Sequence, residues 1–210
     1  DLYSFTGDVE ASGVGTDFLS PRTRMKAKAR VASVHYGKYK IGNLLAVANI
    51  ANGKIHADVD SKNDYLKGLV SLDALTNSKN IQATVTADVR HADLYRFQIT
   101  QVPMMAALCG HVDVNTDLGE NYNVQASIGD ITLRTKEKTY RPVDVLVDLY
   151  TRRDTTHAIA DCGDFHLNMD VHGGYKSLLK TVDGLTTELA TQMKERRIDQ
   201  VRIRRQFPLG

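Results

Sequence analysis

The feature that most constrains this chain is alternation: over most of its length every second residue is apolar and the residues between are polar. Consecutive strand side chains point to opposite faces, so such rows put one face in apolar surroundings and the other in water, a split that a helix cannot make. The clearest row sets Met25, Ala27, Ala29 and Val31 against Arg24, Lys26, Lys28 and Arg30. The same period runs through Ile55, Ala57, Val59, through Leu66, Gly68, Val70, Leu72, and through Ile81, Ala83, Val85, Ala87, Val89. It returns in Tyr122, Val124, Ala126, Ile128, in Val143, Val145, Val147, Leu149, and in Phe165, Leu167, Met169, Val171.

Short polar links join the rows, among them Asn52-Gly53, Lys62-Asn63-Asp64, Leu118-Gly119-Glu120 and Lys136-Glu137-Lys138. Such links make antiparallel hairpins, because a parallel crossover needs a dozen residues or more. The expected fold is therefore all-β, a meander of long antiparallel strands. Thr23 to Tyr36 alone would extend roughly 45 Å at about 3.3 Å per residue.

Two stretches break the pattern. From Lys40 to Ala51 both parities are apolar, which predicts a bulge or a strand covered on both faces. From His91 to Ala107 the row is irregular and contains Pro103, which predicts an edge, a bulge or a strand start. Past Gly173-Gly174 the period changes: Leu178, Val182, Leu185, Leu189 and Met193 fall at steps of four and three, predicting one C-terminal amphipathic helix from about Tyr175 to Arg196. The expected organisation is a β-region over 1–173, the helix within 174–198, and a basic tail or a further strand over 199–210. No signal-peptide pattern is visible and the first residue is Asp1, so the chain reads as a piece of a larger protein.

Composition narrows the function classes. With 42% hydrophobic and 25% charged residues the chain folds in water, and a net charge of +2 is too small to select nucleic acid by counterion release. Cys109 and Cys162 match no zinc, haem or redox spacing; they read as two buried thiols or one bridge. Asp113, Asn115, Asp117 and Gly119 imitate the start of a calcium loop, but the glycine comes one place late and Val124 stands where the bidentate Glu belongs. His166, Asp170 and His172 share one parity and read as a solvated polar face rather than a metal site. No G-x-S-x-G elbow and no carboxylate pair in an apolar setting is present, so no catalytic residue is expected and the chain reads as a non-enzyme without cofactor or metal.

The apolar rows admit two uses. In most proteins such a face is core. Here alanine recurs, aromatic residues are 7% and Trp is absent, so the side chains are small for filling a closed sandwich. A wide sheet curled about that face would leave an apolar trough, and an acyl chain of about sixteen carbons would gain on the order of 12 kcal/mol by filling it.

Three stretches carry a family resemblance: Asn52-Gly53-Lys54-Ile55-His56-Ala57-Asp58-Val59, Tyr65-Leu66-Lys67-Gly68-Leu69-Val70-Ser71-Leu72, and Ile81-Gln82-Ala83-Thr84-Val85-Thr86-Ala87-Asp88-Val89, closed by His91-Ala92-Asp93-Leu94-Tyr95-Arg96-Phe97. In style, over about Tyr3 to Val171, the chain resembles the repeating strands of the TamB family of translocation and assembly proteins (AsmA-like). The resemblance implies a β-taco: long antiparallel strands curled into an elongated open groove, apolar inside and polar outside. It also implies a periplasmic setting within an inner-membrane-anchored protein, phospholipid acyl chains as cargo carried towards the outer membrane, and an outer-membrane β-barrel partner of the Omp85 type. That family defines no ligand motif, so only the inward rows carry over as groove lining. The C-terminal helix is foreign to a plain groove repeat.

Overall fold

The alternating rows become strands of a single antiparallel sheet. The computed structural model describes residues 2–36, 39–77, 79–174, 177 and 180. In chain order the strands are β1 (Leu2–Val14), β2 (Arg24–Tyr36), β3 (Tyr39–Ile41), β4 (Leu44–Ala51), β5 (Lys54–Lys62), β6 (Leu66–Thr76) and β7 (Ile81–Asp93). They continue as β8 (Met105–Thr116), β9 (Tyr122–Arg134), β10 (Thr139–Tyr140), β11 (Val145–Thr151), β12 (Thr155–Cys162) and β13 (Phe165–His172). The expected helix and basic tail lie outside the described residues, Ser177 and Lys180 apart.

The lateral order follows the chain, β1-β2-β4-β5-β6-β7-β8-β9-β11-β12-β13, with the short β3 attached to β2 and β10 to β9. Every pairing is antiparallel, as the short polar links predict. β1 and β13 are edges, so the sheet is open. Ten inter-strand gaps at about 4.8 Å make it roughly 48 Å wide. The Asn52-Gly53 link is a two-residue hairpin turn with φ of 56° and 72°, the left-handed pair that lets such a turn follow the twist of its strands.

The substantial contacts between described elements are those between hydrogen-bonded neighbours. Accordingly, the buried hydrophobic residues among the described ones are only Ile50, Ala74, Ala106 and Met169. A two-layer sandwich would enclose many more. Backbone ladders, cross-strand pairs and one-sided shielding by neighbouring side chains hold this fold together.

Both irregular stretches resolve in physical terms. β4 keeps an unbroken register with β2 and β5, so neither a bulge nor a two-sided cover is present; Val47 simply stays exposed on the second face. In the other stretch β7 carries a bulge between Val89 and Ala92, and the chain then makes turns until β8 starts at Met105, two residues after Pro103.

One set of buried groups is polar. Thr23, Thr76, Thr116, Thr151 and Thr156 are buried, each at or next to a strand terminus at the same end of the sheet. Their hydroxyls are all used. Thr76 donates to the carbonyls of Gly53 and Leu19, Thr116 accepts from the Leu118 amide, and Thr151 and Thr156 bond to each other at 2.7 Å while Thr156 donates to Gly173. Since an unpaired buried hydroxyl would be costly, these pairings let a polar row close one margin of an apolar face.

Candidate functional site: a continuous apolar face

Strand register converts the separate rows into one surface. Reading across the sheet, Ala11, Ala27, Ala48, Ala57, Leu72, Val85, Val112, Ala126, Val147, Ala160 and Leu167 are successive cross-strand partners. A second line joins Gly13, Met25, Ile50, Ile55, Ala74, Ala83, Val114, Val124, Leu149, Ala158 and Met169. A third joins Val9, Ala29, Ala46, Val59, Val70, Ala87, Gly110, Ile128, Val145, Cys162 and Phe165. No charged residue interrupts these lines over the eleven strands.

The predicted lining residues therefore share one face, with a single exception. Val31, Leu66 and Val89 extend it towards one end of the strands, and Ile81, Tyr122 and Val171 towards the threonine margin. Val143 is the exception and a correction: it precedes β11, pairs with no strand and is 55% exposed. Pro142, which has no amide hydrogen to give to a ladder, stands where the chain leaves β10, and the ladder resumes only at Val145. Sequence reasoning missed the contributions of β4, β8 and β12. Their second parity is also apolar (Leu45, Val47, Ala107, Ile159), which blurs the period, although Val112-Asp113-Val114-Asn115 carries it clearly.

The face is shielded unevenly. Ile50 and Ala74 are buried close to the threonine margin, where the loop 15–23 folds over and its Leu19 carbonyl meets Thr76. Two lines further along, the cross-strand partners Val59 and Val70 remain 38% and 39% exposed. The face is thus shielded at one end and half open to water along these lines.

The opposite face is mixed, with hydrogen-bonded polar side chains beside the exposed Val47, Leu69, Leu75 and Leu146. His56 bonds Asp73 at 2.7 Å and Asp58 at 3.1 Å, and Ser71 donates to Asp58. Thr84 donates to Asp113, which also meets His111; Gln125 donates to Asp148; His157 meets Asp170, and His166 meets Asp161. Apart from His56–Asp58 and His111–Asp113, which lie along single strands, these side-chain bonds run across strands like rungs. A hollow of about 620 Å³ lies among Asn49, Lys54, His56, Asp73 and Gln82, open to water.

Hydrogen bonds to Asp73 and then Asp58 raise the His56 pKa above its usual 6.5, whereas Ser71 foremost lowers that of Asp58 from 3.8. Protonated His56 thus stabilises the sheet below about pH 6.5, and this contribution is lost as pH rises through its folded value; the Asp58 contribution is lost as pH falls below about 3.8. A proton-detected titration should place the His56 midpoint above 6.5 and bring it down in Asp73→Asn. An unchanged midpoint in that variant would contradict the assignment.

The remaining candidates find structural roles. Asp117 accepts from the amides of Gly119 and Asn121 and from the Asn121 side chain, and these bonds, those of Asn121 foremost, bring its pKa down to about 2. It closes a turn while Asp113 and Asn115 lie in β8. His166 and Asp170 are engaged with β12, so the His166–Asp170–His172 row forms part of the polar face. Cys109 is exposed on the polar face, and Cys162 belongs to the apolar face beside Val145 and Phe165. Both thiols are free, and on opposite faces they cannot bridge; the exposure of Cys109 corrects the expectation of two buried thiols.

Comparison with protein-family models, curated proteins and solved structures finds no match to this chain.

Proposed function

We propose that the chain is a segment of a TamB-like envelope protein whose apolar face carries phospholipid acyl chains between the inner and outer membranes. The observation that carries this reading is the registered apolar face, unbroken over eleven strands, built of small side chains and partly open to water. Curled about that face, the sheet forms a trough, the β-taco geometry. A trough lined by Ala, Val and Leu offers an acyl chain dispersion contact and dehydration along its length without specifying a headgroup.

The direct test is to extract the purified chain with organic solvent and examine the extract by mass spectrometry. Phospholipid in near-stoichiometric amount is expected. An empty protein, recovered from a lipid-rich lysate and still folded, would overturn the reading.

A second reading rests on a separate observation, the open edges. Among the described residues β13 leaves one side of its backbone unpaired, and β1, from Thr6 to Val14, is exposed on both faces. Such edges accept a further strand, which suits an assembly scaffold that pairs its edge with an Omp85-type partner or a client.

A further inference from the structure

One end of the strands carries a feature that the cargo reading does not use. At the end away from the threonine margin, the turns between β7 and β8 display Tyr95, Ile99 and Val102, which are 49%, 68% and 55% exposed. This loop is firmly built. Asp93 caps it by accepting the Arg96 amide, the Leu94 amide donates to the Met104 carbonyl, the Ile99 amide donates to the Leu94 carbonyl, and the Arg96 guanidinium lies 4.9 Å over the Tyr65 ring. The apolar side chains are thus held outward on an ordered frame.

Beside this loop stands a basic hairpin. Met105, the first residue of β8, pairs with Arg134, the last of β9, and β9 runs beyond the end of β11 to pair with β10. Its tip and the following turn carry Arg134, Lys136, Lys138 and Arg141 against Glu137 and Asp144, with Tyr140 exposed among them. The hairpin is therefore a local cluster of cations beside the exposed apolar loop.

We infer that the margin formed by the 94–104 loop and the 134–141 hairpin docks on an anionic lipid bilayer, with Ile99 and Val102 in the headgroup–acyl boundary and the hairpin cations at the phosphates. Charge complementarity selects the occupant: exposed aliphatic side chains flanked by tyrosines and by Lys and Arg match the layered polarity of a membrane interface. The proposal does not depend on cargo. A protein empty of lipid that still docks through Ile99 would overturn the function proposed above and leave this one standing.

The chain contains no tryptophan, so Ile99→Trp supplies a sole indole reporter, and Val14→Trp at the opposite end supplies the comparison. With vesicles of mixed phosphatidylcholine and phosphatidylglycerol, the Ile99→Trp emission should shift to the blue and be quenched by brominated lipid. Val14→Trp should do neither. Adding Lys136→Glu and Lys138→Glu to the Ile99→Trp protein should weaken vesicle binding by about tenfold or more at low salt, and pure phosphatidylcholine should bind less well than the mixture. No blue shift for Ile99→Trp, an equal response from Val14→Trp, or a shift that grows with protein concentration without vesicles, as a second copy would give, would each overturn the inference.

Discussion

Replacing Val85 and Val147 together by aspartate is expected to strip phospholipid from the purified protein while its strands survive. The two valines lie in one lateral line of the apolar face, separated only by Val112 and Ala126. Among the described residues no second layer of strands packs on this face, so a carboxylate placed there remains within reach of water when cargo is absent, and the ladders on either side are untouched. An acyl chain on the same line must cover two unpaired charges, which costs several kcal/mol each, against about 0.8 kcal/mol gained per methylene. Retained lipid should fall by more than about a hundredfold at a loss of 3 kcal/mol or so. Far-ultraviolet circular dichroism and lipid analysis of the same sample decide it. Loss of the β signal would show that the face is an ordinary core.

Gly68→Ala should destabilise the sheet by about 1–3 kcal/mol, whereas Gly110→Ala should be close to neutral. Both glycines belong to the apolar parity. A Cβ at Gly68 would lie 2.4 Å from the Asp88 carbonyl oxygen and 3.0 Å from the Val89 Cα, at the point where the β6–β7 register shifts. These are backbone atoms of a neighbouring strand, so relief requires moving the ladder. A Cβ at Gly110 would meet only the Ala87 methyl at 3.6 Å, an ordinary contact. Urea midpoints for the two variants give the comparison, and equal losses would show that the close approach at Gly68 has no energetic consequence.

Much of this architecture is legible in the sequence because its determinants are local. Period-two rows fix which side chains share a face, and Asn52-Gly53 or Leu118-Gly119-Glu120 fix that the next strand comes back alongside. What alternation does not reveal is what lies across from a row, since a core and an open surface need the same side chains; only the register and the exposure of Val59 and Val70 separate them. Val143 misled because its parity continues that of Val145 while Pro142 keeps it off the ladder. The threonine margin was missed because its members are scattered along the sequence and the row exists only after pairing. The cue lay in position: Thr76, Thr116 and Thr151 each end a strand on its apolar parity.

A sheet whose strands touch little beyond their immediate neighbours has no centre. Its energy is close to a sum over adjacent pairs, as in repeat proteins, so length is a free variable. Each additional hairpin would lengthen the apolar face by roughly 10 Å without disturbing a contact elsewhere. Evolution can therefore fit such a molecule to a span by duplication or deletion, with local folding steps that remain the same at any size.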